Sequence, residues 1–281
     1  MPKAPFEGVR RSRIAGAWYP GSREALARTV DNYLQGAASQ PLPGETVALV
    51  APHAGYIYSG QVAAYAYRQV QGREFETVVV VGPSHQLDLR RYGVTAVRSY
   101  ETPLGQVALD VDLLTALAEA AGPVEFLPED GEHSLEIQLP FLQRAVGSFR
   151  LAPVMMGDQS LAACQELGQT LGRLLAGRSA LLVASSDLSH YHTYQRANTL
   201  DHRVAERLEA FDALGLANVL VQGKAEACGG GPIIAVMLAA QALGADAAQV
   251  LRYANSGDVT GDHAHVVGYL AAALYRRGSA A

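Results

Sequence analysis

The segment 77–81, with the sequence TVVVV, limits the fold of this chain more than any other feature of the sequence. Four consecutive valines favour a β-strand, and a run without charged residues favours a strand that is buried on both faces. Similar apolar runs occur at 47–51 (VALVA) and 180–184 (ALLVA). A sheet of such strands has to be covered by helices on both sides, so the sequence predicts an α/β fold.

Segments with helical character separate these strands along the chain. Their alternation with strands predicts a central, mainly parallel or mixed β-sheet flanked by helices. Pro140 lies inside one helical segment and is expected to kink it or to begin a second helix. The predicted helices are 58–70, 110–121, 134–146, 161–175, 199–213 and 232–243, and the further strands are 94–97, 151–155, 250–253 and 266–274, with a helix as the alternative for the last.

The length of 281 residues permits one large domain or two small ones. The stretch 35–44 has the loosest composition, but it would separate only an N-terminal piece that is too small for a domain. The sequence shows neither an internal repeat nor a long linker. We therefore predict a single domain over residues 1–281.

Charge and cysteine content exclude several classes of protein. The 22 Lys and Arg residues against 27 Asp and Glu residues give a net charge of −5, which is not the basic field of a nucleic-acid-binding protein. Two cysteines cannot form a disulfide framework. These features predict a cytoplasmic protein that does not bind nucleic acid.

Targeting and membrane signals are also lacking in the sequence. The longest apolar stretch, 232–245, would span about 21 Å as a helix, which is too short for a bilayer core of about 30 Å. Arg10, Arg11 and Arg13 are not followed by the apolar run of a secretory signal. We interpret these three arginines as part of a solvated arm and expect no membrane contact.

Polar residues follow directly after each of the three strongest strands. His53 follows the first strand, His85 follows the second, and the sequence SSDLSH with Asp187 and His190 follows the third. Ligands of open α/β sheets bind beyond the carboxyl ends of the strands, where these side chains could converge. A single histidine after a strand can also be a hydrogen-bonding loop residue. Three such placements favour one shared site.

Cys228 precedes three glycines and a proline that open the predicted helix 232–243. A helix N-terminus lowers the pKa of a nearby thiol, and the thiolate is both a nucleophile and a metal ligand. The alternative is a small buried cysteine that packs beside a glycine turn. Cys164 lies in a leucine-rich helix, and we interpret it as a core or surface residue without chemistry.

The sequence EHSLE at 132–136 allows two interpretations. His133 and Glu136 are three residues apart and share one face if a helix begins here, which would place them in a site with Glu132. The alternative is that Asp130 or Ser134 caps this helix and that Glu136 is favoured by the helix dipole. A further set of histidines has no supporting spacing and is interpreted as surface or structural: His192, His202 and His265.

Seven motifs then identify a family. They are AGAWYP (15–20), APHAGYIYSG (51–60), GPSH (82–85), EHSLEIQLPF (132–141), SSDLSHY (185–191), CGGGPI (228–233) and NSGDVTGDHAHVVGY (255–269). In this order they resemble the Memo family, and they are most similar to its prokaryotic branch, called AmmeMemoRadiSam system protein B. That branch is named after two neighbours, so the resemblance implies an AMMECR1-like protein and a radical SAM protein as partners.

The resemblance also implies a site. The Memo family resembles the catalytic subunits of class III extradiol ring-cleaving dioxygenases, which hold non-haem Fe(II) with two His and one Glu. Carried over, His53 and His85 are the histidine ligands, and Cys228 takes the place of the carboxylate. His190 corresponds to the acid/base histidine. Asp187, Glu132 and His133 would line the same pocket as further catalytic residues.

A thiolate in place of a carboxylate makes the site softer, which suits Fe(II) or Cu(I), with Zn(II) as a third candidate. The first hypothesis is therefore a metal-binding redox or oxygenase-like protein. The second is a metal-free hydrolase or transferase in which Cys228 is the nucleophile and His190 or His53 its base. The third is a non-catalytic module that docks a peptide or a protein, such as the radical SAM neighbour, in a vestigial dioxygenase pocket.

Overall fold

Strands and helices alternate along most of residues 6–278, the part of the chain that the computed structural model describes. The strands are β1 (Val9–Arg10), β2 (Gly44–Ala51), β3 (Thr77–Pro83), β4 (Tyr92–Thr95), β5 (Ser99–Thr102), β6 (Gly105–Ala108), β7 (Val124–Leu127), β8 (Arg150–Met156), β9 (Ala180–Ser185), β10 (His190–His192), β11 (Ala247–Asn255) and β12 (Val266–Arg277). The helices are α1 (Arg23–Gly36), α2 (Tyr56–Arg68), α3 (Val111–Ala120), α4 (His133–Glu136), α5 (Leu139–Ala145), α6 (Leu161–Leu174), α7 (Tyr194–Glu209), α8 (Ala213–Val221), α9 (Gly230–Ala242) and α10 (Gly257–Thr260).

A mixed sheet of nine strands forms the centre of the described residues. Its order is β10-β12-β2-β9-β3-β8-β4-β7, and β11 pairs with β12 outside this path. The four central strands β2, β9, β3 and β8 are parallel, whereas β12 and β4 run antiparallel to their neighbours in this group. The predicted α/β fold with a mixed sheet is therefore confirmed. A small separate sheet consists of β1, β5 and β6.

Helices flank this sheet, as the buried strands require. Every residue of β3 is buried. Helix α9 contacts β9, β2 and β3 and carries α6 on its outer side, while α2 contacts β12 and β2 and packs against α1 and α5. Helix α9 is apolar along nearly its whole length, which agrees with its position between the sheet and a second helix.

Most predicted elements are present, with differences at helix ends. The segment 134–146 contains α4 and α5, which are separated next to Pro140 as expected. Residues 266–274 belong to strand β12 and not to a helix. The helix predicted at 199–213 was wrong at its end: α7 stops at Glu209, Phe211 adopts a positive φ of 53°, and the Asp212 side chain caps a new helix, α8.

The prediction of a solvated arm at the N-terminus was wrong for Arg10. Its side chain is almost fully buried and forms ion pairs with Asp130 and Glu136. Arg11 and Arg13 are the exposed members of the group. The boundaries predicted at residues 1 and 281 lie outside the described residues. Among residues 6–278, no helix is both long and apolar enough to cross a membrane.

Candidate metal centre

The sequence-predicted site residues meet at one edge of the sheet. His53, His85 and Asp187 follow β2, β3 and β9, which are adjacent parallel strands, and His190 begins β10. The carboxyl ends of such strands open onto the same side of the sheet, which explains the convergence. Helix α4 brings His133, with Glu132 as its N-cap, to this edge. The loop before α9 adds Cys228.

Three of these side chains have the spacing of a metal site. One ligand atom each of His53, His85 and Cys228 lie within 4.8 Å of one another. His53 Nε2 is 3.1 Å from Cys228 Sγ. Nitrogen and sulfur ligands around one tetrahedral ion are roughly 3.4–3.6 Å apart, as bond lengths to zinc require. The three side chains therefore fit a small ion after slight adjustment.

The hydrogen bonds of Ser185 fix the tautomer of His53. Ser185 Oγ accepts a hydrogen bond from Gln138 Nε2 at 2.7 Å and donates its only hydrogen to the Ser134 carbonyl at 2.6 Å. His53 Nδ1, at 3.0 Å, must therefore be the donor to this hydroxyl oxygen. The lone pair of His53 is consequently on Nε2, the atom that faces Cys228. This is the arrangement of a histidine that is ready to bind a metal.

Glu132 fixes His85 in the same way. Its carboxylate accepts hydrogen bonds from His85 Nδ1 at 2.9 Å, from the His85 backbone N–H at 2.7 Å and from the Ser134 N–H at 2.9 Å. Burial alone would raise the pKa of Glu132, but these hydrogen bonds outweigh it and lower the pKa to about 2. The ionised carboxylate can only accept, so His85 carries a proton on Nδ1, and Nε2 is the ring atom left to bind a metal.

His190 is the third histidine with a fixed tautomer. Its Nδ1 lies 2.8 Å from the Leu188 carbonyl oxygen, which can only accept, so Nδ1 is the donor and Nε2 has the lone pair. Burial lowers the pKa of His190, and it lowers the pKa of His53 well below its ordinary value. His53 and His190 are therefore neutral imidazoles, the form that binds metals or accepts protons.

His133 stacks on the His85 ring and packs against Trp18 at a tilt. Its ring centroid is 4.6 Å from that of His85 and 4.5 Å from that of Trp18. Together with His85 and Glu132 it forms a second group of closely spaced ligand atoms. The geometry favours the group with Cys228, since Nδ1 of His85 already donates to Glu132, which leaves Nε2 of His85 for a metal.

Cys228 differs from the sequence prediction in its acidity. Burial, and next the negative charge of Asp187, raise the pKa of its thiol to about 12. The helix N-terminus is close, since Gly229 is the N-cap of α9, but its effect is smaller than that of burial. Asp187 N–H points to Sγ at 3.3 Å, a contact that suits a thiolate. The prediction of a lowered thiol pKa was wrong for the metal-free protein.

Asp187 lies buried beneath the histidines. Its carboxylate accepts a hydrogen bond from the His53 backbone N–H at 2.7 Å. Burial raises the pKa of Asp187 to about 7 even though backbone N–H groups donate to it. A carboxyl group with this pKa can hold or release a proton near neutral pH.

A cavity of about 520 Å³ opens in front of the histidines. Sequence reasoning did not assign a role to the aromatic residues at this cavity, Trp18, Tyr58, Tyr191 and Tyr269. The motifs AGAWYP, GYIYSG and SHY contain three of them and could have indicated a rim. Tyr191 is 73% exposed and has a positive φ of 63°, which is uncommon for an aromatic residue and marks strain near a site.

Comparison with known proteins identifies the family. A family model described as Memo-like protein matches residues 10–273. A MEMO1 family protein of Methanopyrus kandleri is 36% identical over 286 residues, which cover 96% of this chain and 99% of that protein. A MEMO1 family protein of Methanosarcina mazei is 38% identical over 269 residues, covering 94% and 98%. The chain belongs to the Memo family.

The fold of this Memo family chain is shared with a more distant protein of known structure. The crystal structure of an uncharacterized protein of Escherichia coli K12 superposes with a TM-score of 0.57 at 17% sequence identity. The match covers 82% of this chain and 99% of that one. At this identity the similarity concerns the fold alone.

Three further predictions concern the cap of helix α4, Glu136 and Cys164. Glu132, and not Asp130 or Ser134, is the residue that caps α4, so the capping prediction named the wrong side chains. Glu136 is buried on the side of α4 that faces Arg10. Cys164 is a core residue of α6, where burial raises the pKa of its thiol to about 12.

Proposed function

We propose that this chain is a metal-dependent redox or oxygenase-like protein with a site of two histidines and one cysteine. His53, His85 and Cys228 would hold the ion. A mixed imidazole and thiolate set suits Fe(II) or Cu(I), with Zn(II) as a third candidate. When bound, Fe(II) or Cu(I) would supply one-electron chemistry. The observation that carries this proposal is that Nδ1 of each histidine is held by a buried hydrogen-bond partner, which leaves Nε2 as the atom that can bind a metal.

The neighbouring residues are proposed to manage protons. His190 lines the cavity with an unprotonated Nε2, which can accept a proton from a ligand bound there. Asp187 is a buried carboxyl group that lines the same cavity and would exchange that proton. Glu132 and His133 would orient His85 and cover one wall of the cavity. These roles agree with those implied by the Memo family resemblance.

Metal content after anaerobic purification tests the proposal. The wild type is loaded separately with Fe(II), Cu(I) and Zn(II), dialysed, and measured by mass spectrometry of the metal. We expect one equivalent of metal in the wild type, a loss in Cys228→Ala, and no loss in Cys164→Ala, because Cys164 is buried away from the site. Absence of metal from the wild type under all three conditions would exclude the proposal.

The metal-free hydrolase or transferase is less well supported. A nucleophilic cysteine needs a thiolate, yet burial raises the pKa of Cys228 to about 12. Burial also lowers the pKa of His53, so the 3.1 Å contact joins a neutral thiol and a neutral imidazole. Iodoacetamide labelling is the test: rapid labelling of Cys228 that metal does not slow would favour this alternative.

Binding of a protein partner is a second candidate function, supported by the surface around the cavity. Ile57 and Tyr191 are 69% and 73% exposed and both line this cavity, so they place apolar surface together at its rim. The radical SAM protein and the AMMECR1-like protein stay the expected partners. In a pull-down with each of them, Ile57→Ser with Tyr191→Ser should reduce binding, while Leu214→Ser, at another exposed apolar residue, should not. Equal binding by all variants would exclude this surface.

A further inference from the structure

A buried arginine lies behind the segment that carries Glu132 and His133. The Arg10 side chain is 1% exposed, and its two acidic partners, Asp130 and Glu136, are 0% exposed. Arg10 Nε donates to both carboxylate oxygens of Asp130 at 2.9 Å, and Nη1 donates to Glu136 Oε2. Arg10 Nη2 donates to the backbone carbonyl of Glu132 at 2.8 Å. The guanidinium thus binds the seven-residue segment 130–136 at three residues, Asp130, Glu132 and Glu136.

The two acids extend this network to the residues beside the site. Asp130 Oδ1 accepts a hydrogen bond from the Glu132 backbone N–H at 2.8 Å. Glu136 Oε1 accepts from Tyr19 Oη at 2.7 Å and from Ser12 Oγ at 2.6 Å. The segment is therefore fixed on both sides of Glu132 and His133. Many of the hydrogen bonds that fix it come from N-terminal residues, namely Arg10, Ser12 and Tyr19.

We infer that Arg10 is a positioning residue for the metal centre. It fixes the backbone of Glu132, whose carboxylate accepts from His85 Nδ1 and so keeps a proton on that atom and leaves Nε2 for the metal. This inference rests on the proposed metal site. Buried ion pairs often add little stability compared with apolar side chains of the same size, so stability alone is a weak reason for this triad. Positioning of a ligand's hydrogen-bond partner is a better one.

Arginine is required here because of its shape. The planar guanidinium donates in three directions at once, to two carboxylates and a carbonyl. A lysine ammonium at the end of a flexible chain keeps the charge but cannot reproduce this fork. We expect Arg10→Lys to let Glu132 shift away from His85. The matched control is Arg11→Lys, since Arg11 is 74% exposed and its ion pair within residues 6–278 is with Glu101 on the surface.

The test uses two measurements on the full-length protein. The first is the tautomer of His85 in the metal-free state, measured by long-range proton–nitrogen NMR. We expect Nδ1–H in the wild type and Arg11→Lys, and a mixture of tautomers in Arg10→Lys. The second is affinity for the metal that the wild type binds, expected to fall about 10–100-fold in Arg10→Lys, as for other partners of metal ligands. An unchanged tautomer and an unchanged affinity in Arg10→Lys would overturn the inference.

Failure of the inference and failure of the metal site are distinguishable. If the wild type binds no metal but Arg10→Lys still shifts the His85 tautomer, the positioning role stands and the proposed function falls. Should Arg10→Lys not fold, the triple variant Arg10→Met, Asp130→Asn, Glu136→Gln replaces all three buried charges together. The same tautomer shift is expected there, and its absence would overturn the inference.

Discussion

Replacing Ser185 by alanine removes the hydroxyl group that fixes His53. The His53 Nδ1–H and the Ser134 carbonyl both lose a partner, whereas Gln138 Nε2 keeps its bond to the Pro52 carbonyl at 3.0 Å. Each buried polar group that loses its partner costs about 1–3 kcal/mol, so we expect the free energy of unfolding to fall by about 3 kcal/mol.

The assay compares Ser185→Ala with Ser59→Ala by urea unfolding of the metal-free protein. Ser59 is a matched control, because it is also buried and its hydroxyl donates to the Ala54 carbonyl at 2.9 Å, but within the described residues that hydroxyl accepts no hydrogen bond, whereas the Ser185 hydroxyl accepts two. Its replacement should cost about 1 kcal/mol.

Metal affinity provides the second measurement for this pair. Ser185→Ala should weaken the affinity for metal about 10–100-fold. Without the Ser185 hydroxyl, the tautomer of His53 with its proton on Nδ1 and its lone pair on Nε2 is no longer favoured. Ser59→Ala should leave it unchanged. If the two variants lose the same stability and bind metal equally well, the role given to Ser185 is wrong.

Three further predictions concern pH and packing. The pKa of Glu132 is about 2 instead of 4.5, so the ionised carboxylate stabilises the folded protein fully above pH 4.5, and this contribution is lost as the pH falls towards 2. The difference in unfolding free energy between wild type and Glu132→Gln should therefore shrink over that window. The pKa of Asp187 is about 7 instead of 3.8, so between pH 3.8 and 7 the folded protein keeps this carboxyl group protonated while the unfolded chain releases the proton, and the wild type loses stability as the pH rises. Urea unfolding of Asp187→Asn should show a growing gain over the wild type in that window. A Cβ at Gly82 would lie 2.5 Å from Ser134 Oγ, so Gly82→Ala should displace α4 and lower both Tm and metal affinity. The control is Gly278→Ala, where a Cβ would meet open space and neither quantity should fall.

The strands and the convergence of the site were predictable because their signals are local. Apolar runs such as 77–81 specify buried strands by composition. The carboxyl ends of neighbouring parallel strands lie at the same edge of the sheet, whatever the conformation of the loops between them. Helix α1 was missed although Leu26, Val30 and Leu34 lie four residues apart and are buried, which is a helical pattern. The hairpin of β5 and β6 has strands of four residues each, too short for a distinct periodicity.

Errors arose where distant residues decide the outcome. Arg10 was expected in solvent because its partners, Asp130 and Glu136, are 120 and 126 residues away in the sequence, and the residues around Arg10 give no signal of these ion pairs. The acidity of Cys228 was predicted from the adjacent helix, but burial by other segments has the larger effect. The tautomers of His53 and His85 depend on Ser185 and Glu132, and such pairs are known only from the folded chain.

A crystal structure of the metal-loaded protein, with anomalous scattering recorded at the absorption edge of the bound metal, tests the central claim most directly. We expect one anomalous peak bonded to His53 Nε2, His85 Nε2 and Cys228 Sγ, with Nδ1 of each histidine still donating to Ser185 and Glu132. A peak elsewhere, or bonded through Nδ1 of His85 and not through Cys228, would contradict the account.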